Sequence, residues 1–218
     1  VQVLADAQAT LPAIRAALAW FTRGVQPGET LILFLSGHGV KVGDRFYFAP
    51  VGVDPARLAA TALPWPELLA SLQAARRNAR SVWVLADCCR AAPGLERDRQ
   101  ATGDDLRAGV DDGGNLVICT ASAGDAPSYE SETLQHGLFT QAWLEALQGR
   151  MGPAYAIAYQ PTPRGAVLTL SGLQFLIDAS VVRHARQVGV RQQVEFPRLE
   201  GSFSPGQPLF IAVAARPS

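Results

Sequence analysis

Neither sign of charge is in excess in this sequence: 19 Lys and Arg stand against 19 Asp and Glu over 218 residues. Without a basic surplus there is no global footprint for nucleic acid or an anionic membrane, and neither is expected as a partner. Cysteine is scarce as well. Cys88 and Cys89 are adjacent and Cys119 stands apart, which makes neither a disulfide framework nor the spaced pairs of a zinc site. A reducing, cytoplasmic location is the expectation. Long apolar runs are missing: Leu31–Leu35 and Leu209–Ala215 are strand-sized, far short of the roughly 18 residues of a membrane span. Val1–Asp6 has neither the charged n-region nor the apolar h-region of a secretory leader. Internal repeats and low-complexity tracts are absent, and the length fits a single domain with a core of its own.

What is present is an alternation of short apolar runs and helical patterns. Val1–Leu4 reads as the end of a strand. Thr10–Phe21 carries Leu11, Ile14, Leu18 and Phe21 on one helical face, with Thr10 as cap, Pro12 in the first turn and Gly24 as the stop. Thr30–Leu35 has the look of a fully buried strand and Arg45–Phe48 of a short hairpin arm. Pro64–Ala75 is a second helix, Ser81–Ala86 a second buried strand and Leu116–Thr120 a third. Helices are expected over Phe139–Leu147 and Leu173–Ala185, separated by an irregular connection at Pro153, Pro161 and Pro163. Leu209–Val213 closes the chain as a last strand. This order predicts an α/β fold with a mainly parallel sheet flanked by helices on both faces. Between Arg90 and Asn115 the pattern collapses: Leu95, Leu106 and Val110 are the large apolar groups among five glycines, six carboxylates and four arginines. A connection this long inside a domain is functional, cut or solvated.

In open α/β sheets, sites form beyond the carboxyl ends of the strands. Two patches stand there: Ser36-Gly37-His38-Gly39 after the first buried strand, and Asp87-Cys88-Cys89-Arg90 after the second. If those strands are neighbours, a proton shuttle faces a thiol nucleophile. Other chemistries find no support. Gly37-x-Gly39 begins like a dinucleotide fingerprint, but Val42 stands where its third glycine belongs and Asp44-Arg45-Phe46 opens no helix. Neither a P-loop nor a G-x-S-x-G elbow occurs.

The 51-residue spacing from His38 to Cys89 matches the roughly fifty residues between histidine and cysteine in caspases. With Ser36-Gly37-His38-Gly39, Phe46-Tyr47-Phe48-Ala49-Pro50, Asp87-x-Cys89 and Gly137-Leu138-Phe139-Thr140, the chain resembles the caspase-fold cysteine peptidases, and within them the prokaryotic metacaspases and orthocaspases. The likeness implies a three-layer caspase-like domain over 1–218 that lacks the family's first strand. Aligned on Q-A-C-R-G, Cys89 takes the nucleophile's position, Cys88 the buried alanine's, and Asp87 replaces glutamine. The resemblance implies the backbone N–H groups of Gly39 and Cys89 as oxyanion hole, and His38 as the acid that protonates the leaving amine. No cofactor is required.

In metacaspases the residues matching Asp6, Ser36 and Asp87 build an acidic S1 pocket, so cleavage after Arg, then Lys, is expected. The loop then acquires candidate autocleavage sites at Arg97, Arg99 and Arg107. Its carboxylates Asp98, Asp104, Asp105, Asp111 and Asp112 are calcium candidates without EF-hand spacing. Expected partners are protein or peptide substrates and an activating protein or domain outside this chain; bacterial relatives suggest stress, cell-death or defence effectors. The chain departs from metacaspases in continuing Cys89-Arg90-Ala91-Ala92 instead of C-H-S-G. Competing readings are a structural His38, satisfied strand-end carboxylates at Asp6 and Asp87, a loop residue at His136, a structural His184, and a catalytically silent caspase-fold scaffold.

Overall fold

The computed structural model describes residues 1–43, 45–90, 115–121, 128–131, 133–148, 158–162, 165–194, 196 and 208–212; at Cys89 and Arg90 it describes the strand backbone. A central sheet has the order β3-β2-β1-β4-β5. Its strands are β1 (Thr30–Val42), β2 (Arg45–Ala49), β3 (Leu63–Pro64), β4 (Ser81–Arg90) and β5 (Leu116–Thr120). β1, β4 and β5 run parallel, while β2 is antiparallel to β1 and β3 to β2. The expected mainly parallel α/β sheet is observed, and β2 and β3 make it mixed.

One face of the sheet is covered by α1 (Leu11–Thr22) and α3 (Trp65–Arg76), with the short α2 (Leu58–Thr61) in the connection between β2 and β3. The reasons are local. The Thr10 hydroxyl oxygen accepts the Ala13 N–H at 3.4 Å and caps α1, whose Leu11, Ile14 and Leu18 are buried. In α3, Trp65, Leu68, Leu69, Leu72 and Ala75 form the inward stripe. A fully buried leucine such as Leu68 or Leu72 contributes about 1.5–3 kcal/mol. The opposite face is covered by α4 (Leu138–Gln148) and α5 (Leu170–Gln187), which present Phe139, Trp143, Leu173, Ile177 and Val181 to Trp83, Leu85, Val117 and Cys119. Side chains of β4 thus alternate: Val82, Val84, Ala86 and Cys88 enter the α1/α3 core, Trp83 and Leu85 the α4/α5 core.

Several expectations need correction. Leu31–Leu35 is not fully buried, because α4 and α5 cover β4 and β5 and leave Ile32 and Phe34 of β1 at 49% and 45% exposure. Both apolar runs continue as strand through the glycine-containing and cysteine-containing patches, to Val42 and Arg90. Val1–Leu4 pairs with no strand among the described residues and leads into a single 3-10 turn at Asp6–Gln8. Extended backbone becomes a strand only when a neighbour takes its N–H and C=O groups. The last strand, β10 (Pro208–Ala212), does not join the central sheet. It pairs with β9 (Gly165–Thr169), which pairs with β8 (Tyr159–Thr162) in a separate antiparallel sheet.

Candidate active site

The site forms where β1 changes partner. Up to Ser36 the strand pairs in parallel with β4, Ser36 against Asp87; from His38 onward it pairs antiparallel with β2, His38 against Ala49. His38 is also the register partner of Arg90. Between these pairs β1 advances two residues and β4 three, so Cys88-Cys89 stand opposite Gly37 in a bulge. The backbone at Cys89 is therefore a direct neighbour of the Gly37–His38 segment. The glycines of the first patch have physical tasks. Gly37 has φ +151°, and a Cβ there would stand 3.2 Å from the Phe48 ring. A Cβ at Gly39 would collide with the Cys88 carbonyl oxygen and stand 2.5 Å from the Phe46 ring. Phe46 is itself fixed edge-on against Trp65 at 5.5 Å. The Phe46–Pro50 stretch is thus the wall against which the His38 segment is pressed.

His38 is half-buried, and its Nδ1 is a buried ring nitrogen with no hydrogen-bond partner among the described residues. Buried polar atoms of this kind usually have a partner, and one without calls for explanation. Cys88 is buried at 1% exposure in the α1/α3 core, as strand alternation predicts for the residue beside Cys89. Cys119 is wholly buried too, and burial pushes its thiol far above the ordinary range, which makes it inert.

Asp87 follows Trp83 and Leu85 on the α4/α5 side of β4. There the Thr140 hydroxyl donates to Asp87 Oδ2 at 2.6 Å, and Gly137 lies against the carboxylate so closely that a Cβ would overlap Oδ2. Ser36, its register partner, is exposed. Asp6, the remaining S1 candidate, sits in the exposed 3-10 turn with φ +46°. Its carboxylate has no hydrogen bond or ion pair among the described residues. The turn is tethered by the Val51 N–H to Ala9 carbonyl bond of 2.9 Å, two residues beyond the Ala49 that pairs with His38. Ser36, His38 and Asp87 are thus brought together on adjoining strands, whereas among the described residues no hydrogen bond or ion pair joins Asp6 to them.

Gly137 and Thr140 were visible in sequence as parts of a motif, but not as neighbours of Asp87. His136-Gly137 is not a loop: it forms β7 (His136–Gly137), paired with β6 (Glu130–Ser131). His184 does sit in a structural setting, with Nε2 2.9 Å from Glu145 Oε1 and Nδ1 3.1 Å from Gln187 Oε1. The loop candidates Arg97, Arg99, Arg107, Asp98, Asp104, Asp105, Asp111 and Asp112 lie outside the described residues. Among the described residues no cluster of His, Cys, Asp and Glu suits a metal ion, and no helix is long and apolar enough to cross a membrane.

A search of curated proteins finds no match. The family profile described as the caspase domain (peptidase C14) matches residues 1–157, which take in the His38 segment, the Asp87–Cys89 segment and the head of α4. With well over half of its 218 residues matched, and with a mixed α/β sheet flanked by helices, the chain belongs to the caspase-domain family of cysteine peptidases, enzymes whose substrates are proteins or peptides.

Proposed function

We propose that this chain is an endopeptidase that hydrolyses peptide bonds after Arg, and next after Lys, through Cys89 and His38. The observation that carries the reading is the strand register: Ser36 against Asp87 and His38 against Arg90, with the Cys88-Cys89 bulge between. In this mechanism the Cys89 thiolate attacks the scissile carbonyl carbon. The oxyanion so formed accepts from the backbone N–H groups of Gly39 and Cys89. His38 gives a proton to the leaving amine, then takes one from the water that hydrolyses the thioester and frees the thiol. A buried imidazole nitrogen without a described partner is in keeping with that role. Asp87, with Ser36 and Asp6, is assigned to S1. A carboxylate about 4 Å from a guanidinium gains roughly 4 kcal/mol at an effective dielectric of 20, before desolvation, and repels an acidic P1 residue. Arg is favoured over Lys where the contact is bidentate.

The wider reading is a single peptidase domain over 1–218, working in a bacterial cytoplasm as a stress, cell-death or defence effector. Processing at Arg97, Arg99 or Arg107, calcium binding in the same loop and activation by an outside partner belong to it. Fluorogenic peptides with Arg, Lys or Asp at P1, assayed with and without calcium, test the core of it. Cys89→Ala and His38→Ala should each cut turnover of the Arg peptide by about 10³-fold or more. A preference for Asp at P1 would overturn the S1 assignment, and the absence of any Cys89-dependent turnover would favour a silent caspase-fold scaffold.

A further inference from the structure

We propose that Thr140, in the first turn of α4, is the positioning residue for Asp87 and thereby sets selectivity for a basic P1 side chain. This rests on the reading of cleavage after Arg and Lys. Asp87 has two rotatable side-chain bonds, and it lies half-buried inside β4, three residues before the strand's end. Two contacts from the head of α4 bear on the direction of its carboxylate. The Thr140 hydroxyl donates to Oδ2 at 2.6 Å, the length of a charge-assisted O–H···O⁻ bond, across 53 residues of sequence. The bare Cα of Gly137 forms the floor: a Cβ there would overlap Oδ2 and stand 3.0 Å from Oδ1. The carboxylate is thus fixed in direction by a hydroxyl and in depth by a missing side chain.

A carboxylate can accept about four hydrogen bonds, so the bond from Thr140 orients Asp87 without by itself filling its acceptor capacity. Gly137 is held in its turn, because Gly137 pairs with Glu130 and the Leu138 N–H donates to the Tyr129 carbonyl at 3.0 Å. The head of α4 is therefore a fixed platform. Thr140 acts through Asp87, so its effect falls on recognition of P1 and not on the bond-breaking step.

The test compares wild type, Thr140→Val, Thr140→Ser and Asp87→Asn on two fluorogenic peptides, one with Arg and one with the neutral isostere citrulline at P1. Thr140→Val keeps the shape and removes the hydroxyl. It should raise KM for the Arg peptide by about 10-fold, with kcat changed by no more than about 2-fold, and so lower the Arg-to-citrulline selectivity by about the same 10-fold. Thr140→Ser should restore both values. Should Thr140→Val fail to fold, Thr140→Ala carries the same comparison. An unchanged KM, a parallel loss on both peptides, or a Ser variant as impaired as the Val variant overturns the positioning role. Loss of Arg cleavage in Asp87→Asn with Thr140→Val unaffected sinks this inference alone, whereas a wild type without Asp87-dependent Arg cleavage sinks the S1 reading and this inference together.

Discussion

At Gly39 an added methyl group has nowhere to go: on one side is the Cys88 carbonyl oxygen, on the other the Phe46 ring. A ring can rotate, but a carbonyl inside the β1–β4 pairing moves only if the bulge opposite Gly37 moves with it. Gly39→Ala should therefore cost about 1–3 kcal/mol of stability, read as a lower urea midpoint. It should also cut Cys89-dependent turnover by about 10-fold or more, since the same shift displaces both proposed oxyanion donors. A variant with the wild-type midpoint would show that the backbone at the bulge yields freely. At this scale the sequence marks out short strings of residues but not which of them touch. Ser36–Gly39, Phe46–Pro50, Asp87-x-Cys89 and Gly137–Thr140 are four separate strings in the chain. In the fold they are mutual contacts: Phe48 beside Gly37, Phe46 beside Gly39, Cys88 behind Gly39, Gly137 and Thr140 on Asp87. Spacing along a chain carries no such pairwise information.

Among the elements, α4 and α5 are joined by polar groups as well as by their apolar stripes. Glu145 accepts from Ser180 at 2.5 Å and Gln141 at 3.0 Å, and it also bonds His184 and Arg183. Burial works to raise the Glu145 carboxyl, but these hydrogen bonds and the Arg183 charge outweigh it and hold the group below the usual range. Asp178, also on α5, has no such partners among the described residues, and burial pushes its carboxyl up to about 6 from an ordinary 3.8. Between about pH 4 and 6 the folded chain keeps this proton while the unfolded chain releases it, so stability falls as pH rises through that window. Asp178→Asn removes that dependence. Its urea midpoint should exceed the wild type's at pH 7, with the gap closing toward pH 4; equal midpoints at pH 7 would mean that Asp178 is solvated. Helical periodicity read α1, α3, α4 and α5 to within a few residues, because an inward stripe repeats along the sequence. Strand ends were harder. Glycines that normally end a strand here sit inside one, and Pro161 seemed to forbid β8, which accepts it because β8 is an edge strand.

Across the whole molecule, one buried amide adds polar links among parts that meet at the α4/α5 core. Gln192, in the irregular segment after α5, is 5% exposed. Its Nε2 donates to the Ala121 carbonyl at 2.8 Å, and its Oε1 accepts the Tyr129 N–H at 2.9 Å. Ala121 in turn donates to the Ala86 carbonyl, beside Asp87, and Tyr129 accepts from Leu138 at the head of α4. The side chain therefore closes a ring of hydrogen bonds around the Asp87 platform, from the end of β5 to the start of α4. Nothing in the sequence announced it, since a glutamine among polar neighbours carries no periodic signal and its partners lie 63 and 71 residues away. Gln192→Ala strands a buried carbonyl and a part-buried N–H, a loss of about 1–3 kcal/mol. Gln192→Glu keeps an acceptor for Tyr129 but, as a carboxylate, has no donor for Ala121. Hydrogen exchange separates the two arms of the clasp. The Tyr129 amide should lose its protection in Gln192→Ala and keep more of it in Gln192→Glu, at pH values where that carboxyl is ionised. Amides of α1 and α3, packed in the other core, should slow or quicken only as far as global stability changes. A Tyr129 amide that exchanges at the wild-type rate in Gln192→Ala would show that the ring is closed by other contacts and that Gln192 merely fills space.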